Sequence, residues 1–161
     1  MRKLFSILIL LTVVSLANAE SYIINYSKAI ELCSKLCKKK DLEIIWIVNT
    51  IKHYSIEAGV NPNTILALAI SESNLNPKAI GPGKYSKGIM QVNTRYHMSK
   101  FNKSPLDLED NVRVGVGIYR DCVQRHNGNF EKSIYCYRGI TDSPYLSKIK
   151  KFKSQAVFQA I

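Results

Sequence analysis

The sequence predicts a mainly α-helical fold, with a minor strand or loop region around residues 78–100. Apolar residues recur at helical spacing in successive segments. Capping residues and glycines punctuate those segments, and no run alternates apolar and polar residues over the length of several strands. With 161 residues the chain is long enough for one domain and short for two. It contains no internal repeat and no low-complexity segment.

Taken in order, residues 1–19 read as an export leader. Arg2 and Lys3 give a positive start, Leu4 to Leu16 an apolar run, and Ala17-Asn18-Ala19 a small-x-small cleavage site before Glu20. The run is short for a hydrocarbon core of about 30 Å, which needs roughly 20 apolar residues, so cleavage after Ala19 is expected rather than a retained anchor. Residues 20–42 form an N-terminal extension. Ala29, Ile30, Leu32, Cys33, Leu36 and Cys37 give it a short amphipathic helix, expected to pack on the main domain, residues 43–161.

Asp41 is placed to cap a helix running to about Ala58, with Gly59 just past its end. Ile44, Ile45, Trp46, Ile47, Val48, Ile51 and Tyr54 make that helix apolar over more than half its girth, so it is expected to be largely buried. His53 on it reads as a surface or hydrogen-bonded residue. Asn61-Pro62 starts the next helix, with a cap followed by proline at the first helical position. That helix is expected to end near Asn76-Pro77, since the residue before proline is pushed out of the α region.

Residues 78–100, rich in Gly, Pro, Ser, Lys and Tyr, read as loop, with Ile89, Met90 and Val92 forming a short strand or helical turn. Ser104-Pro105 offers a cap for a helix with Asp107, Glu109 and Asp110 in its first turn and Arg120, Arg125 and His126 near its end. Gly115 and Gly117 lie inside it and point to close packing against a neighbour. Asn129 caps a helix over 130–138, and Tyr145, Ile149, Phe152, Val157 and Phe158 suggest one more helix in the tail.

Export places cysteines where thiols pair. Cys33, Cys37, Cys122 and Cys136 allow three pairings. No histidine lies near any of them in a zinc-like spacing, which favours disulfides over a metal site. Cys122 with Cys136 is the favoured pair, because both lie on helices joined by a short turn. The net charge is +11; without residues 1–19 the chain keeps 21 basic and 12 acidic residues, +9. Such a balance suits a polyanionic partner, or simply a lysine-rich solvated surface. No nucleic-acid-binding module is present, and nucleic acid is not an expected partner.

One residue stands out. Glu72 falls seven after Ile65, on the stripe that Ile65, Leu68 and Ala69 turn inward. A carboxyl group there must find a partner, lose its charge or face a cleft. It also sits in the last turn, where the negative helix end disfavours a second negative charge. Burial and position both push its pKa up, as a proton donor near neutral pH requires.

The order of segments around Glu72 resembles the lysozyme-like domain of bacterial lytic transglycosylases. The matching motifs are Ala58-Gly59-Val60-Asn61-Pro62, Glu72-Ser73, Asn76-Pro77-Lys78-Ala79, Gly88-Ile89-Met90-Gln91, Asn111 through Tyr119, and Cys136-Tyr137-Arg138-Gly139. They span about residues 43–140. Two places depart from the pattern: Arg138 stands where the family has Asn, and the Gly81–Tyr85 loop is not the commonest version. The resemblance is strongest to small secreted members, including those that accompany envelope-spanning secretion systems.

The resemblance implies a mainly α, lysozyme-like fold and a periplasmic enzyme acting on peptidoglycan glycan strands as a monomer. It leaves the client open between an envelope-spanning secretion or conjugation apparatus, wall remodelling and a phage. Glu72 would be the single catalytic acid and then base, with Tyr137 supplying a hydroxyl near the developing charge. Ser73, Met90 and Gln91 would hold the glycan, Met90 as an apolar wall beside the Gln91 amide. No metal or organic cofactor is implied.

Glycosidases usually need two carboxyl groups. Asp107, Glu109 and Asp110 crowd a helix start, where capping accounts for them, and Asp121, Glu131 and Asp142 have no motif around them. One convincing carboxyl fits a transglycosylase, in which the substrate's own 6-hydroxyl replaces water. The alternatives are a hydrolytic muramidase and a catalytically inert envelope-binding assembly protein.

Overall fold

The computed structural model describes residues 21–37 and 39–161; the leader expected over 1–19 lies outside them. The described chain is mainly helical, with two small antiparallel strand pairs. Strand β1 (Tyr22–Ile24) leads into α1 (Tyr26–Cys37) and α2 (Asp41–Glu57). Helix α3 (Pro62–Ser73) follows, then β2 (Ser86–Lys87), β3 (Val92–Asn93) and α4 (Thr94–His97). A 3-10 turn (Met98–Lys100) precedes α5 (Leu108–Arg125), α6 (Phe130–Arg138) and α7 (Ser143–Lys153), and β4 (Phe158–Ala160) closes the chain.

Helix α3 is the centre. Pro62 and every residue from Thr64 to Ile70 are buried, so the helix is enclosed on all sides rather than along one stripe. Burying each of its Ile and Leu side chains contributes about 1.5–3 kcal/mol. It packs against α2 and α7, while α5 packs on α2 and α6. Its start follows from the sequence: the Asn61 side chain accepts from the Asn63 and Thr64 N–H groups, with Pro62 next. Its end comes earlier than Pro77 suggests. Asn74 (φ 51°) and Leu75 (φ 60°) both turn left-handed, and Leu75 is buried.

Helix α1 packs on α2, as expected of the extension. Strand β1 pairs with β4 in the register Tyr22↔Ala160, Ile23↔Gln159 and Ile24↔Phe158, joining the two ends of the described chain. The tail is therefore not one long helix. α7 stops at Lys153, and Phe158 is extended because both its backbone groups are claimed: the Asn63 side chain donates to its carbonyl (2.7 Å) and accepts from its N–H (3.0 Å).

Helix α2 also corrects an expectation. It buries Ile44, Ile47, Val48 and Ile51, but Trp46 is 54% exposed and Leu42 is exposed as well. Asp41 is its first residue rather than its cap, which is Lys40. The cap of α5 is Asp107, whose carboxylate accepts from the Asp110 N–H (2.9 Å), not Ser104. A disulfide joins Cys122 of α5 to Cys136 of α6. Cys33 is buried on α1.

The loop region expected over 78–100 contains β2 and β3, paired as Ser86↔Asn93 and Lys87↔Val92, then α4. Asn111 of α5 holds it in place. Fully buried, its side chain accepts from the Met90 N–H (2.8 Å) and donates to the carbonyls of Lys87 (2.9 Å) and Pro105 (2.8 Å). Gly88, at φ +78°, lies so close that a Cβ there would meet the Asn111 amide at 2.3 Å. Gly115 makes the approach expected of it, since a Cβ would fall 2.6 Å from Met90 Cβ; Gly117 faces open space.

Asn111→Ala leaves three backbone groups without their partner. It is expected to lower unfolding stability by about 3 kcal/mol, seen in urea as a fall in the midpoint at unchanged slope. A loss below about 1 kcal/mol would show that solvent satisfies these groups instead.

Candidate active site

Glu72 is the penultimate residue of α3, and its side chain is only 9% exposed. The Tyr145 hydroxyl donates to its Oε1 at 2.5 Å. Arg138 Nη1 lies 3.8 Å from Oε2, an ion pair too long to be a hydrogen bond. Tyr145 reaches the carboxyl from the first turn of α7, whose cap, Asp142, accepts from the Tyr145 N–H at 2.9 Å.

Desolvation dominates the electrostatics of Glu72. Burial raises its pKa above the ordinary carboxylate value; the Tyr145 hydrogen bond and the Arg138 and Lys148 charges pull the other way and do not cancel it. Half-exposed Arg138 at 3.8 Å is partly screened, which explains why its pull loses. Tyr145, buried and bonded to the carboxyl, has its own pKa pushed up and stays a proton donor.

Beside Glu72 lies a hollow of about 150 Å³, walled by Gln91, Asn93, His97, Ile118, Tyr137 and Arg138 among others. A second hollow of about 350 Å³ adjoins it and shares Asn93, His97, Ile118, Tyr137 and Arg138. Together they form a groove that passes Glu72 and runs between α4, α5 and α6. A larger hollow of about 440 Å³ between α2 and α5 shares no lining residue with Glu72's, and its Arg113 and Arg120 are already paired with Asp110 and Asp121.

The expected site residues gather around this groove, with different tasks. Tyr137 lines it with Glu72, but its hydroxyl donates to the Met90 carbonyl at 2.7 Å, and burial and the Glu72 charge push its pKa well up. Ser73 turns away from the groove. Its hydroxyl donates to the Ile89 carbonyl (2.8 Å) and accepts from the Asn76 N–H (3.1 Å).

Met90 is 0% exposed, so it is not the apolar wall expected; the room left by Gly115 draws its side chain into the core. Gln91 (φ 47°) does line the hollow, while its amide donates to the Gly88 (2.9 Å) and Ala79 (3.2 Å) carbonyls. Residues 88–91 are thus pinned by Ser73, Gln91, Asn111 and Tyr137.

Tyr145 is the site residue that the sequence did not single out. Its apolar spacing marked it as core, and its partner is 73 positions away. The signal available was Asp142 ahead of Pro144, a cap that fixes where the helix, and hence the tyrosine, begins.

Among the described residues Glu72 is the sole carboxylate lining its hollow. Asp107 and Asp142 cap helices, Asp110 pairs with Arg113, Asp121 with Arg120, and Glu131 with Lys150. Among the described residues no three His, Cys, Asp or Glu side chains converge as a metal site.

The raised pKa has a consequence for stability. A carboxyl whose folded pKa exceeds its unfolded value contributes stability that is full below the unfolded pKa and lost as pH rises through the folded one. Glu72→Gln escapes that loss. Its melting temperature relative to the wild type is expected to climb as pH rises above the ordinary glutamate value of about 4.3. A difference that is flat with pH would mean the carboxyl is not desolvated.

Two comparisons with known proteins returned nothing: no curated protein matches the chain, and no solved structure does. The third is positive. The family described as the transglycosylase SLT domain matches residues 49–157, which run from α2 to the residue before β4 and include Glu72, Tyr137 and Tyr145. That is about two thirds of the chain, and the chain belongs to the transglycosylase SLT domain family.

Proposed function

We propose that the protein is a lytic transglycosylase that cleaves the β-1,4 bond between N-acetylmuramic acid and N-acetylglucosamine, leaving 1,6-anhydro ends, with Glu72 as acid and then base. The observation that carries this is a desolvated carboxyl with a raised pKa in a hollow that, among the described residues, no second acid lines. Inverting and retaining hydrolases place a second carboxyl opposite the first, about 5–9.5 Å away. Here every other acid near the groove is engaged in a cap or an ion pair.

Glu72 gives its proton to the glycosidic oxygen as the bond to the anomeric carbon breaks, and the charge left on the sugar is oxocarbenium-like. Ionised Glu72 then takes the proton of the same sugar's 6-hydroxyl, whose oxygen closes on the anomeric carbon. No water is consumed. Tyr145 holds Oε1 throughout, which leaves Oε2 as the oxygen that exchanges the proton. Tyr137 keeps the groove wall in register through Met90, and Gln91 and Asn93 offer polar edges to the sugars.

The leader-like residues 1–19 and the Cys122–Cys136 disulfide support export to the periplasm, where the substrate lies. A secretion or conjugation apparatus as client rests on the resemblance alone. Among the described residues no helix is long and apolar enough to cross a membrane.

Incubated with purified peptidoglycan, the protein is expected to release fragments ending in 1,6-anhydro sugars, identified by mass spectrometry as 18 Da lighter, one water, than hydrolytic products. Glu72→Gln is expected to lower the rate by at least about 100-fold, the scale of a lost general acid. Reducing ends alone would replace this reading with a hydrolytic muramidase.

A further inference from the structure

Arg138 departs from the family's pattern, and its position gives it a task. It is the last residue of α6, held there by Gly139 in the left-handed cap position (φ 80°). Its guanidinium carbon stands 4.9 Å from the centre of the Tyr145 ring, and Nη1 is 3.8 Å from Glu72 Oε2. The guanidinium lies over the Tyr145 ring, and the carboxylate is beyond hydrogen-bonding distance. Among the described residues the Arg138 side chain makes no hydrogen bond, and it remains 40% exposed to the groove. A rigid fork of donors is therefore presented at the site of cleavage with no acceptor filling it.

The charge of the groove agrees. Its larger hollow is lined by Lys100, Arg125 and Arg138 against one acid, Asp121, which Arg120 (2.9 Å) and Lys100 (3.7 Å) already contact. A neutral sugar polymer gives such a wall nothing to pair with. An acidic group beside the scissile bond does.

We propose that Arg138 is a specificity residue that binds a carboxylate carried by the muramyl sugar next to the bond being cut. This rests on the transglycosylase reading above. Two sources offer the same chemistry: the lactyl carboxyl, free on strands stripped of their peptides, and the carboxyl groups of a peptide still attached to it. Arginine suits either, because two parallel N–H groups match the two oxygens. Asparagine at this place would offer one amide and no charge.

The test uses glycan strands with and without peptides, each with carboxylates either free or converted to amides, and follows the formation of anhydro ends. Arg138→Asn is expected to raise KM about tenfold on strands with free carboxylates, equivalent to about 1.4 kcal/mol, with kcat changing less. Amidation should weaken the wild type by a similar factor and leave Arg138→Asn unaffected, while Arg138→Lys should recover part of the loss.

The effect on peptide-free strands assigns the lactyl group, and its restriction to peptide-bearing strands assigns the peptide. An equal loss on free and amidated strands overturns the proposal, because the arginine then acts on Glu72 rather than on substrate. A wild type that cleaves no strand overturns the transglycosylase reading instead. Binding of the same strands to Glu72→Gln protein still decides the arginine: carboxylate-dependent binding lost with Arg138→Asn upholds it, and binding indifferent to both overturns it.

Discussion

The structure depends on a carboxyl group kept out of water at the end of its most enclosed helix. α3 is buried along nearly its whole length, so Glu72, one residue before its last, inherits a dry environment that no solvent-exposed helix end would provide. Ionisation there costs free energy, and one short hydrogen bond and a distant guanidinium return only part of it. The group is left ready to give up a proton, with little held in reserve to keep the charge that results. Much of the surrounding architecture can be understood as holding that arrangement still.

Two sets of contacts do the holding. On one side Asp142 caps α7 and so fixes the height at which Tyr145 meets Glu72. On the other, residues 88–91 are drawn into the groove wall by Ser73, Asn111 and Tyr137, each bonding a backbone group rather than presenting itself to a ligand. The same residues that mark a binding loop in the sequence therefore work as its supports. Under the proposed function, binding falls to Asn93, Gln91 and Arg138, which line the hollow beside Glu72.

How much of this was legible in the sequence varied with the range of the interaction. Local chemistry was plain: Asn61-Pro62 starts α3, and Asn129 caps α6, which spans Phe130–Arg138 as expected. Glu72 was legible because its helical period alone turns it inward. Long-range facts were not. The tail's apolar residues up to Phe158 suggested one more helix, but the side chain of Asn63, 95 positions earlier, holds Phe158 extended. Met90 could not be told from a groove residue until Gly115 on another helix made room for it. Nothing in the first turn of α7 says that its tyrosine faces a carboxyl on α3. Trp46 counted towards a buried face by composition, yet α2 is covered by its neighbours on the side of Ile44, Ile47 and Ile51 only.

Under the proposed function, desolvation only partly offset by Tyr145 makes Glu72 a proton donor. Titration of the Glu72 side-chain carboxyl by carbon NMR tests it most directly, in the wild type and in Tyr145→Phe. The expected result is a wild-type pKa above the ordinary glutamate value of about 4.3, and a further rise once the tyrosine hydroxyl is removed. A wild-type value at or below about 4.3 would contradict it, because the carboxyl would then be an ordinary ionised group near neutral pH.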